Sequence, residues 1–122
     1  GRDAKDFSTI ISLTDRDGNA RNKAVFQVMF YSYLFMKKYQ ESYETIEPGI
    51  FNSRDLFDES FEWKVFNKEL KAPVTEFRQY LDEFEQGLTH LLHEIYDPKV
   101  PFDQTEDIKK CGYCPYKEIC QR

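Results

Sequence analysis

The chain has 122 residues, room for one compact domain and too little for two of ordinary size. Hydrophobic residues at 40% and aromatics at 16% supply enough apolar side chain for a core and exclude a disordered tail. The net charge of -5 lacks the basic footprint of a free-standing nucleic-acid-binding domain, although an acidic total dilutes a local basic strip without removing it. No apolar run reaches bilayer-spanning length and the stretch from Gly1 to Asp6 has no signal-peptide character, so a cytosolic address and no membrane contact are expected. Gly1 in place of an initiating Met suggests a piece excised from a longer protein.

Taken in chain order, residues 7–13 (Phe-Ser-Thr-Ile-Ile-Ser-Leu) read as a short strand, and Asp15 to Asn19 as a turn rich in Asp and Gly. From about 21 to 42 there is no Gly or Pro, and Ala24 to Met36 is apolar on nearly every side, interrupted by Gln27 and Ser32; this predicts a long, buried helix. Residues 45–51 hold Ile46, Ile50 and Phe51 around Pro48-Gly49, which suits an interrupted or edge strand. Phe61, Trp63 and Val65 alternate with Glu62 and Lys64, the period of a half-buried strand that would pair with it as in a hairpin. From 74 to 96, Val74, Phe77, Leu81, Phe84, Leu88, Leu91, Leu92 and Ile95 recur at intervals of three and four, predicting a second long helix between Pro73 and Asp97-Pro98. The fold class is therefore α+β, with two long helices, a few short strands between them and a tail over 99–122.

That tail holds the chain's three cysteines, Cys111, Cys114 and Cys120, at C-x2-C-x5-C spacing. Two thiols separated by a turn can address one metal or cluster, and a third further on can complete a face of it. Closed zinc sites and cubane clusters both take four ligands, so one position is left for another residue. His90 or His93, three apart on one helix face, could complete a zinc site. Ordinary reduced thiols, or a local redox pair, are the plain alternative.

Several features in order give the chain its likeness to a family. Gln27-Val28-Met29-Phe30-Tyr31 is a Q-x3-Y element on the first long helix. Strands and the second long helix follow it. Last come Pro101-Phe102, Cys111-Gly112-Tyr113-Cys114-Pro115-Tyr116 and Ile119-Cys120-Gln121-Arg122. From about Lys23 onward the sequence resembles the C-terminal part of the RecB and AddB nuclease domains, a branch of the PD-(D/E)XK superfamily with a restriction-endonuclease-like fold. The resemblance implies one partial domain over 1–122, whose catalytic Asp, (D/E)-x-K strand and fourth cluster cysteine lie upstream, with Gly1 falling just after the catalytic lysine. Asp15, Asp17 and Lys23 flank a Gly-containing turn that makes a poor central strand, and they are given no catalytic role.

The same resemblance implies a Mg2+-dependent DNA exonuclease acting in end processing and recombinational repair, joined to a helicase-nuclease partner subunit. Gln27 and Tyr31 would support the active site, Lys23 with them would contact DNA, and Cys111, Cys114 and Cys120 would hold part of a [4Fe-4S] cluster. On this reading the fragment alone is inactive. Gln27 within an apolar run is expected to be buried and to need a specific partner, since an unpaired amide costs about 1–3 kcal/mol. The rival reading is a non-enzymatic protein-interaction module with a structural zinc site.

Overall fold

The computed structural model describes residues 5–15, 21–39 and 42–121. The described residues form a small α+β unit. Its elements are β1 (Asp6–Phe7), α1 (Ile10–Thr14), α2 (Lys23–Tyr39), β2 (Phe66–Asn67), β3 (Ala72–Pro73), a 3-10 helix (Phe77–Tyr80), α3 (Leu81–Tyr96) and α4 (Ile108–Cys111). The strands form one sheet in the order β1-β2-β3, with β1 parallel to β2 and β2 antiparallel to β3. The parallel pair is joined by a crossover that contains α1 and α2, as parallel pairing requires.

The expected strand over 7–13 is corrected: only Phe7 belongs to a strand, and Ile10–Thr14 is helical. Thr9 caps this helix, its hydroxyl accepting from the Ser12 N–H at 3.2 Å. Ile10, Leu13 and Thr14 are buried while Ile11 is exposed, so the apolar residues fall at helical intervals of three and four. The turn expected after Asp15 lies outside the described residues.

Helix α2 follows Asn22, whose side-chain oxygen accepts from the Val25 N–H at 3.2 Å and whose amide donates to the Asp6 carbonyl at 3.2 Å. One side chain therefore caps the helix and ties it to β1. The helix is not buried all round as its composition suggested. Val25, Met29, Ser32 and Met36 form its buried stripe, and Tyr31, Leu34 and Phe35 are exposed.

Residues 45–51 and 61–65 do pair antiparallel, but through an isolated bridge between Gly49 and Lys64 and not as two strands. The Ile50 N–H donates to the Trp63 carbonyl at 2.8 Å. Gly49 is required there, because a Cβ would come within 2.5 Å of the Trp63 ring. The strand proper begins at Phe66, and buried Asn67 shapes the turn to β3 by accepting from the Glu69 and Leu70 N–H groups at 2.9 and 3.0 Å. That turn closes at Lys71, which adopts a left-handed φ of 51°.

The second long helix begins later than 74. Pro73 lies in β3, and the Val74 N–H donates to the Val65 carbonyl at 2.8 Å, which keeps Val74 at the sheet. Glu76 then caps the 3-10 turn through the Arg78 N–H at 3.0 Å, and α3 ends at Tyr96, capped by Asp97 with Pro98 following. Ile10, Leu13, Val25, Met29, Phe77 and Phe84 make the centre of the core, each with almost no exposed surface. Phe84 contacts Phe26, Tyr33 and Phe77 at ring separations of 5.8 to 5.9 Å. It thereby joins α3 to α2 and to the turn before α3.

Candidate functional site

Lys23, Gln27 and Tyr31 stand four residues apart on α2, an offset of about 40° per step, so they lie along one side of the helix. All three are exposed. Gln27 Nε2 donates to Tyr31 Oη at 2.8 Å. The expected burial of Gln27 is thus corrected, and its amide finds the partner one turn on that the shared face allows. This contact fixes the two side chains relative to one another while leaving the second Gln27 N–H and the Tyr31 O–H to donate toward solvent. The Asn22 cap and Arg21, whose guanidinium donates to the Asp15 carbonyl, hold the start of this face against β1 and α1.

On another side of α2, Tyr33 and Lys37 meet Glu85 of α3. Tyr33 Oη donates to Glu85 Oε1 at 3.0 Å, and Lys37 Nζ lies 3.1 Å from the same oxygen. The hydrogen bond from Lys37, then that from Tyr33, holds the Glu85 carboxyl below the usual carboxylate range. Desolvation and then the Glu85 bond raise Tyr33, and the Glu85 bond raises Lys37. The three groups form a polar clamp that sets the helices' relative position; nothing in the sequence pattern joins residues so far apart.

Cys111, Cys114 and Cys120 are half-buried thiols outside any disulfide. Cys111 ends α4, the Cys114 N–H donates to the Cys111 carbonyl at 3.0 Å, and the Cys120 carbonyl accepts from Gln104 at 3.4 Å, so turns and a side chain fold the tail on itself. His90 and His93 are exposed on α3. Among the described residues no group of three or more His, Cys, Asp or Glu side chains is gathered as a metal site. A four-thiolate cluster needs one cysteine more than the three in this sequence. Three cysteines cannot complete that cluster by themselves, and the described residues gather no carboxylate set for Mg2+.

A family model described as the PD-(D/E)XK nuclease superfamily matches residues 11–121. The chain belongs to that superfamily. No curated protein and no solved structure matches it. The match begins within α1 and runs through α2, α3 and the cysteine tail, so the Q-x3-Y helix and the C-x2-C-x5-C segment both fall inside it. A nuclease-type function accompanies membership, and the small α+β fold agrees with it. No helix among the described residues is long and apolar enough to cross a membrane.

Proposed function

We propose that the chain is the C-terminal portion of a RecB- or AddB-type DNA exonuclease domain that processes DNA ends in recombinational repair. The observation that carries this reading is the Gln27–Tyr31 hydrogen bond on the solvent-facing side of α2, in a chain matched to the nuclease superfamily over 11–121. Metal-assisted phosphodiester hydrolysis is the reaction expected of the whole domain; its Mg2+ would activate water and stabilise the leaving oxygen, and would be held by carboxylates that the described residues do not gather. The carboxylates and lysine for that chemistry come from preceding polypeptide, since no D…(D/E)-x-K pattern suited to a central strand stands ahead of α2.

This chain's residues orient. Gln27 and Tyr31 border the active site and hold the DNA backbone, and Lys23 adds a positive charge one turn before them. Cys111, Cys114 and Cys120 supply three ligands of an iron-sulfur cluster whose fourth is a cysteine elsewhere in the domain. Closing so long a loop makes cluster binding a folding contribution, and no redox role is needed. The domain acts in the cytosol beside a helicase-nuclease subunit.

The test is Mg2+-dependent degradation of end-labelled linear DNA by the complete protein carrying Gln27→Ala or Tyr31→Ala. Turnover falls by about a hundredfold if these side chains position the scissile phosphate. Their thermal midpoints stay unchanged because both residues are exposed. Full activity in both variants would refute the assignment.

A further inference from the structure

We propose that Phe35, Tyr39 and Tyr43, where α2 ends, form a stacking platform for the unpaired bases of single-stranded DNA. The inference deepens the nuclease reading, to which it adds a second binding region beyond Gln27 and Tyr31. The ring centroids of Phe35 lie 4.8 Å from Tyr39 and 4.9 Å from Tyr43, and those of Tyr39 and Tyr43 are 6.2 Å apart. The rings hold one another in place, yet they keep 38%, 41% and 49% of their surface exposed and none belongs to the core. Tyr31, 57% exposed, continues the aromatic surface toward Gln27. Lys23 and Tyr39 are turned about 160° apart around the helix, so the continuous exposed side runs from Gln27 to Phe35, about 12 Å at the α-helical rise.

Charge selects the occupant. Helix α2 contains Lys23, Lys37 and Lys38 and no Asp or Glu, within a chain of net charge -5. Lys37 is engaged by Glu85. Lys38 Nζ sits over the Tyr39 ring, 5.1 Å from its centroid, which places a cation on the aromatic surface and leaves Phe35 and Tyr43 as the rings without a lysine above them. Of the carboxylates near this end, Glu76 is paired with Arg78 at 3.3 Å, Glu44 is exposed beside Tyr43, and Glu41 lies outside the described residues. Rings of which two bear hydroxyls, with a lysine over one of them, suit a wet, polyanionic ligand whose phosphates meet the lysine while its bases meet the rings. A duplex keeps its base faces stacked inside, so only unpaired bases can use such a surface.

The experiment measures fluorescence anisotropy of the 122-residue chain with a labelled oligothymidylate, a duplex of equal length, and an abasic strand with the same phosphates. The single strand is expected to bind tightest. The combined variant Phe35→Ala/Tyr39→Ala/Tyr43→Ala weakens it by about fivefold or more per ring lost, while duplex and abasic binding hardly change. Tyr39→Phe/Tyr43→Phe keeps the rings and the affinity. Circular dichroism confirms folding, and Tyr43→Ala alone, outside the helix, serves if the combined variant unfolds. Equal affinity for the abasic strand, or no binding of any strand, overturns the proposal. So does a variant that leaves DNA binding intact and abolishes self-association in sedimentation, which would make a second copy of the chain the occupant. Binding is read without cleavage, so the platform can stand where the Gln27 and Tyr31 activity test fails, and the reverse.

Discussion

Gly87→Ala isolates the contact that positions α1, and through α1 the start of α2. Gly87 is buried in α3, and α1 crosses it so closely that a Cβ would lie 2.8 Å from Thr14 Oγ1 and 3.2 Å from its Cγ2. Thr14 is itself buried and donates its hydroxyl to the Ile11 carbonyl at 3.1 Å. Being short and β-branched, it cannot swing away as a long side chain would. Alanine in a helix interior gains about 1 kcal/mol over glycine. Overpacking costs about 1–3 kcal/mol, so the net expectation is destabilisation on the order of 1 kcal/mol, larger if the Thr14 hydroxyl loses its partner. In a Thr14→Ala background the nearest remaining Thr14 atom is its Cβ, at 3.5 Å, an ordinary contact. There Gly87→Ala should stabilise by about 1 kcal/mol, the propensity gain alone. Urea unfolding followed by far-UV circular dichroism, run as a double-mutant cycle, measures the coupling of about 2 kcal/mol that follows. Stabilisation by Gly87→Ala in the natural background, or the same effect in both backgrounds, would refute the α1–α3 packing described here.

The clamp between α2 and α3 and the cysteine tail make two further predictions. Glu85 titrates below the usual carboxylate range, so its contribution is present above the unfolded carboxyl pKa and is lost as pH falls through the folded value. Lys37 and Tyr33 are raised, so theirs is lost only as pH rises through their folded values. The clamp should therefore loosen in acid and in strong alkali and hold at neutrality. An NMR titration of the Glu85 carboxyl should move toward the ordinary value in Lys37→Met, and an unshifted midpoint would remove the pair. Anaerobic incubation of the 122-residue chain with iron and sulfide should leave no stoichiometric iron or brown absorbance, whereas the complete protein should hold both and lose them in Cys111→Ser. A stable cluster on the short chain would mean that one of its own residues supplies the fourth ligand.

Helix α3 was legible from its periodicity because one face meets the core and the other meets water, so the pattern of Phe84, Leu88 and Leu91 records its surroundings directly. Its start was not, because Val74 and Phe77 continue the three-four spacing while Val74 is bonded to Val65 across the sheet. A backbone partner nine residues back leaves no mark on the apolar pattern. Residues 7–13 misread for a related reason: Phe7, Ile10 and Leu13 suit either a strand or a helix by composition, and the Thr9 cap decides between them. The Gln27–Tyr31 pairing could be anticipated from its spacing, since i and i+4 side chains always share a helix face. The clamp at Glu85 could not, because it depends on how two helices lie together.

Helix α2 shows why apolar content and burial part company. Its sequence is apolar on nearly every side, yet among the described residues its buried stripe is confined to Val25, Met29, Ser32 and Met36. Composition reports the sides that avoid water and is silent about what covers them. The open side is also where Gln27, Tyr31, Phe35 and Lys38 sit, with the Tyr39 and Tyr43 rings beside them. Leu34, about two turns after Gln27, is exposed on this side too, but the residues around it differ from the aliphatic ones that fill a dry helix contact. Phenols, an amide and a lysine keep hydrogen-bonding groups that a dry partner would leave unpaired at about 1–3 kcal/mol each. A ligand carrying flat rings and phosphates can satisfy them, which links the open side of α2 to nucleic acid through the chemistry of its own side chains.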